Sequence, residues 1–295
     1  MAKVSIITRT RNRAVFLNRA LLSISCQSHT NYEWIVVNDG GEKLPVDKIG
    51  ENAKSKGLTV IVIHNDSSSG MEAASNTGIS MATGEYIVIH DDDDSWHPDF
   101  LSKSVLYLES DRHYMGVVSR VVRVIEKVSC DKIKIIKKYP INIASGDISI
   151  SGISHPQRNF PPISFLFHRS VFNEIGLYRE DLPVLGDWEF HLRFIAKYDI
   201  GLISEYLANY HIRNTLTQGV NANTIIGNAD IHSKVYVRLL NELLRKDIAQ
   251  GVTGLGWLVN LSREFENNKN TANKANVFNR LLRHIKGLLF KYIFQ

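Results

Sequence analysis

The chain has 295 residues, 44% hydrophobic and 22% charged, with a formal net charge of +5. That length suits one large domain plus an appendage, and the mild basic balance suits an anionic ligand without asking for nucleic acid. No apolar run reaches the roughly 18 residues of a membrane span, and no zinc-finger spacing or basic low-complexity tail is present, so neither an integral membrane protein nor a nucleic-acid partner is expected.

In chain order, Val4–Thr8 is short and apolar and predicts a strand. Ala14–Gln27 has helical spacing, with Phe16, Leu17, Ala20, Leu21 and Ile24 on one side. Trp34–Val37 predicts a second strand, ending at Asn38-Asp39-Gly40-Gly41. Asp47–Lys56 reads as helix, Leu58–His64 as strand, Gly70–Ala82 as helix, Tyr86–His90 as strand and Pro98–Ser110 as helix. This βα alternation predicts a mostly parallel sheet flanked by helices, with polar strand ends gathered at one edge.

The pattern then changes. Gly116–Val128 and Lys132–Tyr139 predict two β segments, the second alternating isoleucine with lysine as a half-exposed strand does. A polar loop from about Ser145 to Pro162 follows, then a strand at Ile163–His168 and a short helix at Ser170–Gly176. Trp188, Leu192 and Ile195 fit one face of a further helix, with Asp187 at its start. After about Asn221 the rhythm stops, and 224–250 and 254–295 read as helix. From His232 onward 11 Lys/Arg face 4 Asp/Glu. The expected division is a catalytic domain over 1–220, with a nucleotide-binding half (1–110) and an acceptor half (111–220), followed by a helical extension over 221–295.

The run His90-Asp91-Asp92-Asp93-Asp94 is the most informative segment. Four adjacent carboxylates at a strand end repel one another and call for a compensating cation. Hard oxygen ligands suit Mg²⁺ or Mn²⁺, which in turn hold phosphates. In open α/β sheets the carboxyl ends of strands are where ligands bind. A solvated acidic turn with Asp94 as a helix cap is the plainer alternative.

Taken together, Val4-Ser5-Ile6-Ile7-Thr8-Arg9-Thr10-Arg11-Asn12-Arg13, Trp34-Ile35-Val36-Val37-Asn38-Asp39-Gly40, the Gly70/Ala73/Asn76/Gly78 pattern, Asp91-Asp92-Asp93-Asp94-Ser95-Trp96-His97-Pro98 and Gly186-Asp187-Trp188-Glu189-Phe190-His191-Leu192-Arg193 resemble the family 2 glycosyltransferases of GT-A (Rossmann-like) fold. The resemblance spans about Lys3 to Arg213. It implies an inverting, metal-dependent transfer of a sugar from a UDP-sugar, or a dTDP-sugar, to a hydroxyl of a glycan or lipid-linked acceptor, in the setting of bacterial surface polysaccharide synthesis.

By the same resemblance, Asp39 accepts a hydrogen bond from a uracil-like base, and Thr8, Thr10 and Arg11 line its pocket. Asn76 and Asp91 contact the nucleotide sugar. Asp93 takes Mn²⁺ or Mg²⁺, with Asp91 and His211 as further metal candidates. Asp187 is the general base, with Glu189 and Asp181 as alternatives, and Trp188 lies either beside the sugar or in the core. Asn38 and Ser75 depart from the family pattern, Ser75 standing where an arginine is frequent; Arg158, Arg193 or Arg213 could supply that charge. A nucleotidyltransferase of related fold and a scaffold that binds nucleotide sugars without turnover are the competing readings.

Cys26 and Cys130 form no CxxC pair, and no basic-then-apolar leader precedes the first strand. Both features point to a cytoplasmic protein. Val277–Gln295 places Phe278, Leu281, Leu282, Ile285, Leu288, Leu289, Tyr292 and Ile293 at three- and four-residue steps between basic residues. Such a helix either lies on the inner face of an anionic membrane or packs on the catalytic domain or on a second subunit of a homo-oligomer.

Overall fold

The computed structural model describes residues 3–129, 132–141, 143–144, 146–213 and 229–263. The first half alternates strand and helix: β1 (Val4–Thr10), α1 (Ala14–Ser25), β2 (Tyr32–Asp39), α2 (Lys43–Ser55), β3 (Val60–Asn65), α3 (Met71–Ser80), β4 (Tyr86–Ile89), a two-residue β5 (Ser95–Trp96) and α4 (Phe100–Ser110). The second half holds β6 (Tyr114–Ser129), β7 (Lys132–Ile141), α5 (Ile150–Ile153), β8 (Phe165–His168), α6 (Phe172–Ile175), α7 (Gly186–Ile195), β9 (Asp199–Ile212) and α8 (Ala229–Gln250).

These strands form one mixed sheet in the order β3-β2-β1-β4-β8-β6-β9-β5, with β7 added on β6. The pairs β1/β2, β1/β4 and β2/β3 are parallel, as the βα alternation predicts. Beyond β4 the pairing is mixed. β8 runs antiparallel to β4 and β6, whereas β9 runs parallel to β6. Sequence reading gave no strand over Asp199–Ile212, because its apolar residues are interrupted by Glu205, Asn209 and His211.

The central strands are buried on both faces and therefore read as continuous apolar runs. On one face Val4, Ile6, Trp34, Val36, Tyr86 and Val88 pack with Leu17, Ala20, Leu21 and Ile24 of α1 and Phe100, Leu101 and Val105 of α4. On the other face α3 comes close, where a Cβ on Gly78 would run into the Ile7 and Val37 side chains. Between β7 and β8, short helical turns at Ile150–Ile153, Pro156–Arg158 and Pro162–Ser164 replace the irregular loop expected there.

The chain divides into two compact units, Met1–Val237 and Arg238–Gln295. In the second, a helix over 255–263 is capped by Asp247, whose Oδ2 accepts from the Gly254 and Trp257 amides at 3.0 and 2.9 Å. Asn260 Nδ2 donates to the Leu240 carbonyl at 2.9 Å. Among the described residues no helix is long and apolar enough to cross a membrane. The amphipathic helix expected over 277–295 lies outside the described residues.

Candidate active site

The parallel strands bring Thr10, Asp39, Asn65 and the acidic run to one edge of the sheet. There the four adjacent carboxylates are divided among different partners. Asp91 Oδ1 accepts from Arg9 Nε at 2.9 Å and stays 25% exposed. Asp92 is buried, accepts from Thr10 Oγ1 at 2.7 Å and lies 3.3 Å from Arg13. Asp93 Oδ2 receives both Arg13, at 2.6 Å, and the fully buried Arg213. Asp94 Oδ1 accepts from the His211 amide at 2.8 Å.

Their proton affinities diverge accordingly. Burial raises Asp92 to about 7 against the pull of Arg13. Burial also acts on Asp93, but Arg13 and Arg213 outweigh it and hold that carboxyl well below the usual range. Asp94 is pushed up by burial and by the charges of Asp93 and Asp91. Behind Asp93, Glu126 of β6 accepts from Arg19 Nη2 at 2.8 Å, Arg213 Nη1 at 3.0 Å and His211 Nδ1 at 2.9 Å.

A second cluster surrounds Arg9. Besides Asp91, its guanidinium reaches Ser75 Oγ at 2.9 Å, the Met71 carbonyl at 3.1 Å and Glu72 Oε2 at 3.4 Å. Ser75 thus accepts from an arginine of β1. Glu72 is buried, and desolvation with the nearby charges of Asp187 and Asp91 raises it to about 7 despite Arg9. Gly186 packs on the Glu72 carboxyl, and a Cβ there would collide with it. The next residue is Asp187, half-buried in the first turn of α7. Burial raises its pKa, with Arg9 opposing and Asp91 adding. Leu185, just before, takes a left-handed backbone at φ 66°. Such a conformation costs a non-glycine residue about 1–2 kcal/mol, and such strain collects at functional sites.

The remaining expected residues have these places. Thr8 is fully buried and its Oγ1 accepts from Trp34 Nε1 at 2.9 Å. Arg11 is exposed in the loop after β1. Asp39 accepts from Asn65 Nδ2, Ser68 Oγ, Ser69 N, Ser69 Oγ and Gly70 N, all between 2.7 and 3.1 Å. Burial would raise it, but the Ser69 amide and the neighbouring side chains hold it down at about 2. Asn76 donates to the Tyr178 carbonyl and Glu180 Oε1, each at 2.8 Å, and accepts from the Tyr178 amide at 3.1 Å. Asn38 ties the following turn, donating to the Gly41 and Glu42 carbonyls. Glu189 pairs with Arg193, Asp181 pairs with Arg179, and Trp188 is a core residue bonded to the Ile153 carbonyl at 2.8 Å.

The acidic run has the right donor chemistry for Mn²⁺ or Mg²⁺, but in this arrangement it does not fit a cation. Asp93 is held by two guanidinium groups and Asp91 by a third. His211 directs Nδ1 at Glu126 and Nε2 at Ser95 Oγ, 3.0 Å away. Among the described residues no three acidic, histidine or cysteine side chains converge as a metal site.

Glu72, Glu126, Asn159 and His191 were not singled out in the sequence. Glu72, Ser75, Asn76 and Ile79 follow helical spacing on the buried side of α3, so a polar stripe at positions facing the sheet was the available signal. Glu126 stands between Val124 and Val128 at an inward position of an alternating strand.

The Glycosyl transferase family 2 profile matches residues 5–176. An uncharacterized glycosyltransferase of Bacillus subtilis, YwdF, is 29% identical over 201 residues, 67% of this chain and 70% of that one. A PGL/p-HBAD biosynthesis glycosyltransferase of Mycobacterium bovis is 25% identical over 82% of this chain and 90% of its own length. Among solved structures, S. aureus TarS 1-349 in complex with UDP-GlcNAc superposes with a TM-score of 0.56 at 18% identity, over 72% of this chain and 60% of that one. The mannosyltransferase PcManGT of Pyrobaculum calidifontis, in complex with GDP-Man and Mn²⁺, gives a TM-score of 0.54 at 18% identity, over 72% of this chain and 58% of that one. This chain therefore spans about three fifths of either solved chain, and at these identities both show the fold alone. With its strand-end carboxylates, its GT-A sheet and a profile match from β1 to the end of α6, the chain belongs to glycosyl transferase family 2 and is a sugar-transferring enzyme.

Proposed function

We propose that the enzyme moves a sugar from a UDP-sugar, or a dTDP-sugar, to a hydroxyl of a glycan or lipid-linked saccharide with inversion at the anomeric carbon. Asp187 is the general base. The observation that carries this reading is the gathering of Arg9 of β1, Glu72 of α3 and Asp91 after β4 around the half-buried carboxylate of Asp187. Burial raises the proton affinity of Asp187, the direction that makes a carboxylate a stronger base. The acceptor oxygen attacks the anomeric carbon as its proton passes to Asp187. The bond to the diphosphate oxygen breaks on the opposite side, and the electron pair leaves with the diphosphate.

Thr10, Arg11, Asp39 and Asp91 frame the donor side at the strand ends, while Thr8 and Asn76 support it from within. Arg13, Arg19 and Arg213 stand on that side paired with Asp93 and Glu126, and a diphosphate would compete with those carboxylates for them. The UDP-GlcNAc complex of TarS supports a uridine donor. Mn²⁺ in the mannosyltransferase complex supports a divalent cation as cofactor; Asp91, Asp93 or His211 would hold one only after giving up their contacts with Arg9, Arg13, Arg213 and Glu126. A cytoplasmic enzyme of surface polysaccharide assembly is the setting these substrates imply.

A screen of UDP-, dTDP-, GDP- and CMP-sugars for hydrolysis and transfer, with and without Mn²⁺, tests the reading. Turnover of a UDP- or dTDP-sugar that is lost in Asp187→Asn, while binding remains, is the expected result. Wild-type turnover in Asp187→Asn overturns the base assignment.

A further inference from the structure

Asp187 and His191 stand four residues apart on α7 and so share one helix face. Asn159, from the turn after Pro156–Arg158, bridges them. Its Nδ2 lies 3.3 Å from Asp187 Oδ2, and its Oδ1 lies 2.8 Å from His191 Nδ1. The direction of this chain follows from chemistry. An ionised carboxylate only accepts, so Asn159 must present its NH₂ group to Asp187. The amide carbonyl then faces His191, which must carry its proton on Nδ1. Flipping the amide would oppose carbonyl to carboxylate.

The other half of the imidazole shows why a histidine is used. His191 is fully buried, stacked on Phe160 at 4.2 Å between ring centroids and edge-on to Phe165 at 5.2 Å. Its Nε2 has no hydrogen-bond partner. A phenylalanine would fill the same space without leaving a buried nitrogen unpaired, a fault that costs about 1–3 kcal/mol. What the histidine adds is the Nδ1–H donor.

We propose that Asn159 and His191 are positioning residues for Asp187: His191 Nδ1–H locks the Asn159 amide, and the locked amide holds and orients the Asp187 carboxylate. The proposal rests on Asp187 being the base, and it deepens that reading by naming what aims it. Burial keeps the imidazole neutral, pushing it down to about 3, so the donor persists across the working pH range. Other groups also face Asp187: Arg9 from β1, Glu72 from α3, Asp91 after β4, and Tyr178 and Tyr210. The Asn159 contribution must therefore be read by difference.

The test is NMR of the full chain without nucleotide sugar, with ¹⁵N-histidine and side-chain ¹³C-aspartate labels assigned through His191→Phe and Asp187→Asn. In the wild type His191 should be neutral and protonated on Nδ1 between about pH 5 and 8, against the Nε2–H preference of free imidazole. Asn159→Leu should raise the proton affinity of Asp187 about tenfold, the size of one hydrogen bond to a charged group. His191→Phe should act in the same direction, and should add nothing in the Asn159→Leu background. An Nε2–H tautomer, an unmoved Asp187 titration in Asn159→Leu, or equal effects of His191→Phe in both backgrounds would overturn the proposal. If His191→Phe fails to fold, the wild-type tautomer and Asn159→Leu decide alone. None of these readouts depends on turnover, so they are separate from failure of Asp187 as the base, which the Asp187→Asn transfer assay reports.

Discussion

Arg9 Nε donates to Asp91 Oδ1 at 2.9 Å and so joins the carboxyl end of β1 to that of β4. The same guanidinium faces Glu72, and two carboxylates therefore depend on one cation. Removing one partner from a buried ion pair costs about 3–5 kcal/mol, and Arg9 is mostly buried. Arg9→Gln should lower stability by about 3 kcal/mol, roughly 6–12 °C in melting temperature for a domain of this size. Adding Glu72→Gln should restore part of the loss. Thermal unfolding of both variants checks this; additive losses would contradict a shared cation.

Glu72 also sets a pH dependence. Its proton affinity in the fold, raised to about 7 from an ordinary 4.5, means that ionisation costs more there than in the unfolded chain. Below the ordinary value both states hold the proton and the group is neutral in effect. As pH rises from about 4.5 to about 7 the penalty grows, and above that it is constant. The stability of Glu72→Gln relative to wild type should therefore improve across that window. Urea unfolding at several pH values measures it, and a flat difference would refute it.

Asp39 has the opposite sign. Its folded value is held down at about 2, so its stabilisation is complete above its ordinary range and disappears as pH falls through about 2. Asp39→Asn turns an NH₂ group toward the donors of the loop before α3. At neutral pH it should both destabilise the chain and weaken UDP binding, and the stability gap to wild type should close toward acid. Calorimetry with UDP and acid unfolding read the two effects.

Arg13 competes with any cation for Asp93. In nucleotide-free protein, Arg13→Gln should strengthen Mn²⁺ binding roughly tenfold, the scale of one charged hydrogen bond. An electron paramagnetic resonance titration with Mn²⁺ measures it. Unchanged affinity would remove Asp93 from the candidate ligands.

The βα half was legible because its strands lie between helices, so burial on both faces wrote uninterrupted apolar runs into the sequence. The helix stripe over Phe16, Leu17, Ala20, Leu21 and Ile24 is the buried face of α1. β9 does not stand out because polar residues break its apolar pattern: Glu205 pairs with Lys103 at the surface, and Asn209 and His211 reach Ser95 and Glu126. The acidic run announced itself, but its partition did not. Which carboxylate meets Arg9, Arg13 or Arg213 depends on contacts 80 to 120 residues apart, and no local pattern encodes them. Asn159 was invisible for the same reason, since a lone asparagine in a polar turn has many ordinary uses.

The ring of Phe16 in α1 is buried, and the guanidinium carbons of Arg13, Arg19 and Arg213 lie 4.9, 5.4 and 4.4 Å from its centre. One uncharged side chain is thus the common mount for three like charges, and the electron-rich faces of the ring ease their crowding. The placing of these three cations, each also paired with Asp93 or Glu126, therefore depends on a core residue. Replacing the aromatic ring with an aliphatic side chain would remove that shared contact while leaving every ionisable residue in place.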